Sequence, residues 1–247
     1  ANSAYTTVII TVVFGNVFWH YIVGDEVRGN WLWSVALFCS YMVVVITAPI
    51  LGAFMDFTGS KKRFLFASYL LTVVATASLY FISPGAVVVA VILIAVSNFG
   101  FSSGENIVSS FLAELGPPED LGKISGYAWG LGYFGGIGST LIVMFVTGFS
   151  ATEGPYEVKQ LVGPLTAGFF LVAAIPTFLL LKERARPRQL PAGQTLFTIG
   201  FSRLGRTLRE VSNFRDLINF LVSYFFAYSG LAIVISFAFI NGERHRP

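Results

Sequence analysis

The chain has 247 residues, 55% of them hydrophobic and only 12% charged, with a mean hydropathy of +0.72. That is too apolar for a chain that must cover a water-facing surface, so the expected solvent is a lipid bilayer and the expected fold class is all-α, a polytopic transmembrane helical bundle. The net charge of +3 does not indicate a nucleic-acid partner, because the basic residues collect at the ends of apolar runs, where topology signals belong.

A helix needs ~20 mostly apolar residues to cross the hydrocarbon core, and seven runs come close: 5–23, 31–54, 64–81, 86–111, 127–146, 161–181 and 218–240. Strands of a membrane barrel would be half as long and would alternate, so all seven are predicted to be helices. Short breakers separate them at Gly24 to Asn30, Asp56 to Arg63, Ser83-Pro84-Gly85 and Leu115-Gly116-Pro117-Pro118, so the first six runs form hairpins. Residues 1–5 lack a basic n-region and no small-residue cleavage pattern follows, so no cleavable signal is expected. The chain begins without Met and stops soon after an apolar run, and it is therefore expected to be part of a longer protein.

Between Lys182 and Asp216 the character changes. Lys182, Arg184, Arg186, Arg188, Arg203, Arg206, Arg209 and Arg215 stand among Pro187, Pro191 and Gly193. Within this stretch Leu196, Phe197, Ile199, Leu204, Leu208 and Val211 fall partly at helical spacing against the arginines. Either an amphipathic interfacial helix or a solvated connector near the head groups would show this pattern. The expected organisation is a six-helix bundle over 1–181, a basic linker over 182–216, and over 217–247 the first span of a second bundle. Placing alternate loops on one side collects 12 Lys and Arg residues there against 4 on the other, so the loop after the second span and the linker are expected to be cytoplasmic. The Arg244-His245-Arg246 tail runs against that pattern.

The loop between the second and third spans reads Gly52-Ala53-Phe54-Met55-Asp56-Phe57-Thr58-Gly59-Ser60-Lys61-Lys62-Arg63. Its glycines permit a tight turn and close helix approach, and Asp56 could face the positive N-terminus of a neighbouring helix. An ordinary positive-inside loop would account for Lys61-Lys62-Arg63 alone. The whole run, in this position, resembles the signature loop of the major facilitator superfamily, with Gly52, Asp56, Gly59 and Lys61 in the expected places and Phe57 and Ser60 where basic residues are frequent. Three more stretches narrow the resemblance: Ala1-Asn2-Ser3-Ala4-Tyr5, Ser110-Phe111-Leu112-Ala113-Glu114-Leu115, and Gly126 to Gly136 in the fifth span. Together they are similar to the branch containing the fungal vacuolar amino-acid effluxers of autophagy and their bacterial relatives. The resemblance implies about twelve spans in two six-helix halves joined where the basic linker falls. It also implies a multi-pass protein of the plasma membrane if bacterial, or of the vacuolar membrane if fungal, with the second half of the same protein as a partner.

The fourth span carries Asn98, Ser102, Glu105, Asn106 and Ser109 on one helical face. A carboxylate among apolar neighbours is costly against lipid, so Glu105 should face a cavity or a partner. A substrate or proton-coupling role is one reading of the stripe, and a polar contact that merely holds the bundle is the other. Asn16 and His20, one turn apart on the first span, could face the same cavity, although such a histidine also reaches the interface in ordinary packing. Tyr224 and Tyr228 repeat that spacing on the seventh span. In the fifth span Gly126 and Gly130, then Gly132 and Gly136, are spaced four apart, as in small-residue helix packing. No Lys-Ser/Thr follows, so a phosphate cradle is not expected.

These features point to a secondary transporter that moves a small solute, with amino acids implied by the resemblance and proton coupling as an option, by alternating access. A seven-helix receptor is the alternative, but the last span has no lysine for a retinal Schiff base. The single cysteine, Cys39, offers no disulfide or cysteine metal site, and neither His-Glu-x-x-His, Gly-x-Ser-x-Gly nor a paired-acid constellation is present. No enzyme activity, cofactor or metal is expected.

Overall fold

The computed structural model describes residues 2–183, 187, 195–211 and 213–243. Among them, seven helices are long and apolar enough to cross a membrane, as the hydropathy pattern predicts, and the chain is a multi-pass integral membrane protein. The spans are α1 (Asn2–Val23), α2 (Glu26–Thr58), α3 (Lys61–Ser78, extended by the tight turn Leu79–Phe81), α4 (Val87–Leu115), α5 (Leu121–Thr147), α6 (Val162–Leu180) and α8 (Arg215–Glu243). Between α6 and α8 lies α7 (Leu196–Val211). The tail at Arg244 to Arg246, Ala1 of the first motif and the linker positions 184–186 and 188–194 lie outside the described residues.

Two boundaries differ from expectation, for identifiable reasons. The polar stretch Gly24 to Asn30 is mostly helical, because Asp25 Oδ1 accepts the backbone N–H of Arg28 at 2.6 Å and so caps the start of α2. The break shrinks to Gly24, whose φ of +75° suits glycine, and Asp25. The fifth span begins earlier than the apolar run suggests: Pro118 opens a tight turn over Pro118–Asp120 that leads directly into α5.

The helix α1 is wound unevenly, with wide π-type stretches at Thr6–Val12 and Phe18–Val23. Val13 N bonds Val8 O at 3.1 Å and Gly24 N bonds Trp19 O at 2.9 Å, each five residues back.

The described chain forms two compact units, Ala1–Val44 with Lys61–Arg184, and Val45–Ser60 with Ala185–Pro247. In the first, connections after alternate spans meet at one end. Gly85 N bonds Ile22 O at 3.0 Å, Tyr21 Oη donates to Gly154 O at 2.8 Å, and Tyr156 Oη donates to Ile82 O at 2.7 Å. At the opposite end Lys61 pairs with Glu114 at 2.6 Å, and Lys62 donates to Leu181 O at 2.9 Å and, through its backbone N–H, to Glu183 at 3.0 Å. Successive spans of this unit therefore run in opposite directions.

Its tightest seams use small residues. A Cβ on Gly100 of α4 would lie 2.8 Å from Thr72 Oγ1 and 3.0 Å from Ser68 O of α3, one on Gly104 would lie 2.8 Å from the Tyr69 ring, and one on Gly163 of α6 would lie 2.5 Å from Thr76 O. Backbones this close gain dispersion and short polar contacts that lipid cannot offer. Along the same seam Thr76 and Ser97 share a hydrogen bond at 2.7 Å, and Ser97 donates to Tyr5 Oη at 2.8 Å, which ties α1, α3 and α4 together in the interior.

The second unit holds the end of α2, α7 and α8. Gly200 of α7 lies against the backbone of Pro49, where a Cβ would stand 2.6 Å from the carbonyl oxygen. Ile199 beside it is buried.

Candidate functional site

A cleft of about 400 Å³ opens in the first unit, lined by Asn2 and Ser3 of α1, Tyr69 of α3, Glu105 of α4, Trp129 and Gly132 of α5, and Thr177 of α6. Five helices thus contribute to one cavity. Tyr69 Oη donates to Asn2 Oδ1 at 2.9 Å, which fixes the start of α1 against α3. Glu105 reaches the cleft because α4 turns its small face, Gly100 and Gly104, into α3. Its carboxylate has no ion pair or hydrogen bond among the described residues. Such a group in an apolar helix demands water, a proton or a ligand. Among the described residues, no lysine, arginine or histidine lines the cleft.

The other stripe residues separate in depth. Asn98 is fully buried and donates to Ser40 Oγ at 3.0 Å, while its Oδ1 finds no partner. Ser102 is buried beside it. Asn106 and Ser109 are exposed, and Ser109 donates to the Glu105 carbonyl at 2.9 Å. Only Glu105 of this stripe lines the cleft. Asn16 is elsewhere: buried, it donates to Val12 O at 3.1 Å and accepts from Trp19 Nε1 at 2.9 Å, so its amide is satisfied within α1. His20 is exposed and meets Trp19 and Tyr21 edge-on. Tyr224 and Tyr228 stack on each other at 5.6 Å along α8.

The fifth-span glycines also divide. Gly132 and Gly136 face α1, where a Cβ would lie 2.8 Å from Ser3 Oγ and 2.9 Å from Thr7 Oγ1, whereas Gly126 and Gly130 have nothing within 4 Å. In the signature loop, Gly59 ends α2 with a φ of +63° and bonds back to Met55 O at 2.9 Å. Gly52 meets nothing within 4 Å. Lys61, besides its pair with Glu114, donates to Ser110 O and lies over the Phe111 ring. Asp56 takes a 2.8 Å bond from Arg203 of α7, whose guanidinium also covers Phe57 at 5.0 Å. A guanidinium offers a full charge and a directed N–H, which a helix end matches only in part.

Sequence reasoning missed Asn2, Tyr69, Trp129 and Thr177 as cleft residues, since no spacing rule links four different helices. It also missed the seam of α4, although Gly100 and Gly104 carry the same four-residue spacing as the glycines of the fifth span.

The profile of the family described as "Vacuole effluxer Atg22 like" matches residues 117–245. An uncharacterized MFS-type transporter, YxiO of Bacillus subtilis (strain 168), is 26% identical over 98% of this chain. The chain spans 58% of that relative's length. No solved structure matches. With its seven apolar helices, its signature loop between the second and third spans and a family profile covering its second half, the chain belongs to the Atg22-like vacuole effluxer branch of the major facilitator transporters.

Proposed function

We propose that this chain supplies one six-helix bundle and the following span of a secondary transporter that carries a small solute by alternating access, with Glu105 as its coupling or substrate-binding carboxylate. The observation that carries the proposal is the unpaired Glu105 carboxylate at a cleft shared by five helices. A side chain that costs this much in an apolar span is retained where it meets a proton or a polar ligand. Alternating access then requires a second bundle, joined through the basic linker, to rock against the first. Amino acids are the substrate class that the resemblance implies, in the plasma or the vacuolar membrane according to the source cell. The Asn2 amide, the Tyr69 hydroxyl and the Trp129 indole around Glu105 offer the polar and aromatic contacts that a small organic solute needs.

The test uses the complete protein in proteoliposomes, wild type beside Glu105→Gln. Glutamine keeps the size and hydrogen-bonding capacity but cannot titrate. The variant is expected to reach the membrane and to exchange substrate, yet to lose accumulation driven by an imposed pH gradient. Unaltered gradient-driven accumulation would remove Glu105 from coupling, and lowered thermal stability with unchanged pH dependence would make it a structural residue.

A further inference from the structure

The helix α7 presents three faces. At about 3.6 residues per turn, Ile199, Gly200 and Arg203 share one, Phe201, Leu204 and Val211 a second, and Ser202, Arg206 and Arg209 a third. The first is occupied: Gly200 lies on the Pro49 backbone, Ile199 is buried and Arg203 holds Asp56. The second is apolar and partly exposed, Phe201 to 37% and Leu204 to 43%. The third is basic and exposed.

The middle and the C-terminal end of α7 are tied to the ends of membrane-spanning helices. Arg203, midway along α7, holds Asp56, which stands in the last turn of α2. At the C-terminal end Phe214 N bonds Val211 O at 2.9 Å, and the chain enters α8 at Arg215. This places the half of α7 from Arg203 onward at the depth where spans end, which is the head-group region. There an apolar face finds acyl chains and an adjoining basic face finds phosphates, and a helix with both lies in the interface.

We propose that α7 is a binding site for the anionic leaflet of the bilayer. Phe201 and Leu204 enter the acyl boundary, Arg206 and Arg209 take lipid phosphates, and the Arg203–Asp56 pair with the Gly200–Pro49 contact moors the helix to α2. Charge complementarity selects anionic over zwitterionic lipid, since with Arg203 paired to Asp56 α7 still offers Arg206 and Arg209 against the single carboxylate of Glu210. The linker thus senses leaflet charge at the signature loop.

The test places an environment-sensitive fluorophore on cysteines substituted at Leu204 or Gly205, in the complete protein freed of native cysteines. Gly205 is the control, exposed, about 100° round the helix from Leu204, with nothing within 4 Å of its Cβ position. Vesicles are phosphatidylcholine alone or with phosphatidylglycerol. The label at position 204 is expected to be quenched by spin-labelled phospholipid and shielded from iodide, with the reverse at position 205. Phosphatidylglycerol should strengthen the lipid quenching at 204, and Arg206→Gln with Arg209→Gln should weaken that seating by about tenfold or more. Iodide quenching at 204 equal to that at 205 would overturn the proposal. Shielding at 204 without lipid quenching, or a phosphatidylglycerol effect that survives the double replacement, would overturn it as well.

Discussion

Replacing Gly163 with alanine adds one methyl group where α6 crosses α3. The new Cβ would stand 2.5 Å from the carbonyl oxygen of Thr76 and 3.1 Å from Leu79 Cβ. To reach ordinary contact at 3.4 Å the backbones must part by about 0.9 Å, because the obstructing oxygen belongs to a helix and cannot rotate away as a side chain would. Overpacking of this kind costs roughly 1–3 kcal/mol, and it pushes on Thr76, whose hydroxyl shares a hydrogen bond with Ser97 of α4. Gly168 is the internal control: it lies in the same helix and has nothing within 4 Å, so Gly168→Ala should be neutral or stabilising by up to ~1 kcal/mol through helix propensity. The expected difference between the two variants is roughly 1–4 kcal/mol, and at about 2–4 °C per kcal/mol it separates their melting temperatures by roughly 2–16 °C. Size-exclusion chromatography of the detergent-purified complete protein after graded heating would read this. Melting temperatures that coincide would refute the backbone-contact argument for α3 and α6.

Cysteines at Ser60 and Gly154 should be labelled by an impermeant reagent from opposite sides of the membrane, with Ser60 on the side that collects the basic residues; labelling of both from one side would overturn the topology. Position 194, in the linker, should behave as Ser60 does, although it lies outside the described residues. Lys159 is 2% exposed and donates to Thr147 O at 2.6 Å and to Ser150 O, capping the end of α5. Lys159→Met keeps most of the aliphatic stem and removes those charged hydrogen bonds, so stability should fall by about 1.5–3 kcal/mol and proteolysis within 148–155 should accelerate. Unchanged cleavage rates would show that the cap is dispensable.

Hydropathy and basic-residue placement were enough to read the spans, because crossing a bilayer is a local requirement that each segment meets or fails alone. The amphipathic period of 196–211 was visible for the same reason, and so were the signature loop and the polar stripe of the fourth span. Which residues meet was not legible, since that depends on how each helix is rotated and on how close its neighbours come. Gly126, Gly130, Gly132 and Gly136 follow one spacing rule, yet only the second pair faces α1. Asn16 and His20 fit the i, i+4 rule on paper, but the π-type stretches of α1 shift its phase, and Asn16 closes a bond with Trp19 instead of opening to the cleft.

By itself, the sequence determined the solvent, the seven helices, the family resemblance and Glu105 as a carboxylate in need of a partner. Tertiary structure alone decided that Glu105 opens to a cleft with Asn2, Tyr69, Trp129 and Thr177, that Asp56 meets Arg203, and that Lys159 caps a helix end. The physical reason is range: burial in lipid is summed along the chain, whereas hydrogen bonds and backbone contacts act over a few ångströms between residues the sequence keeps far apart.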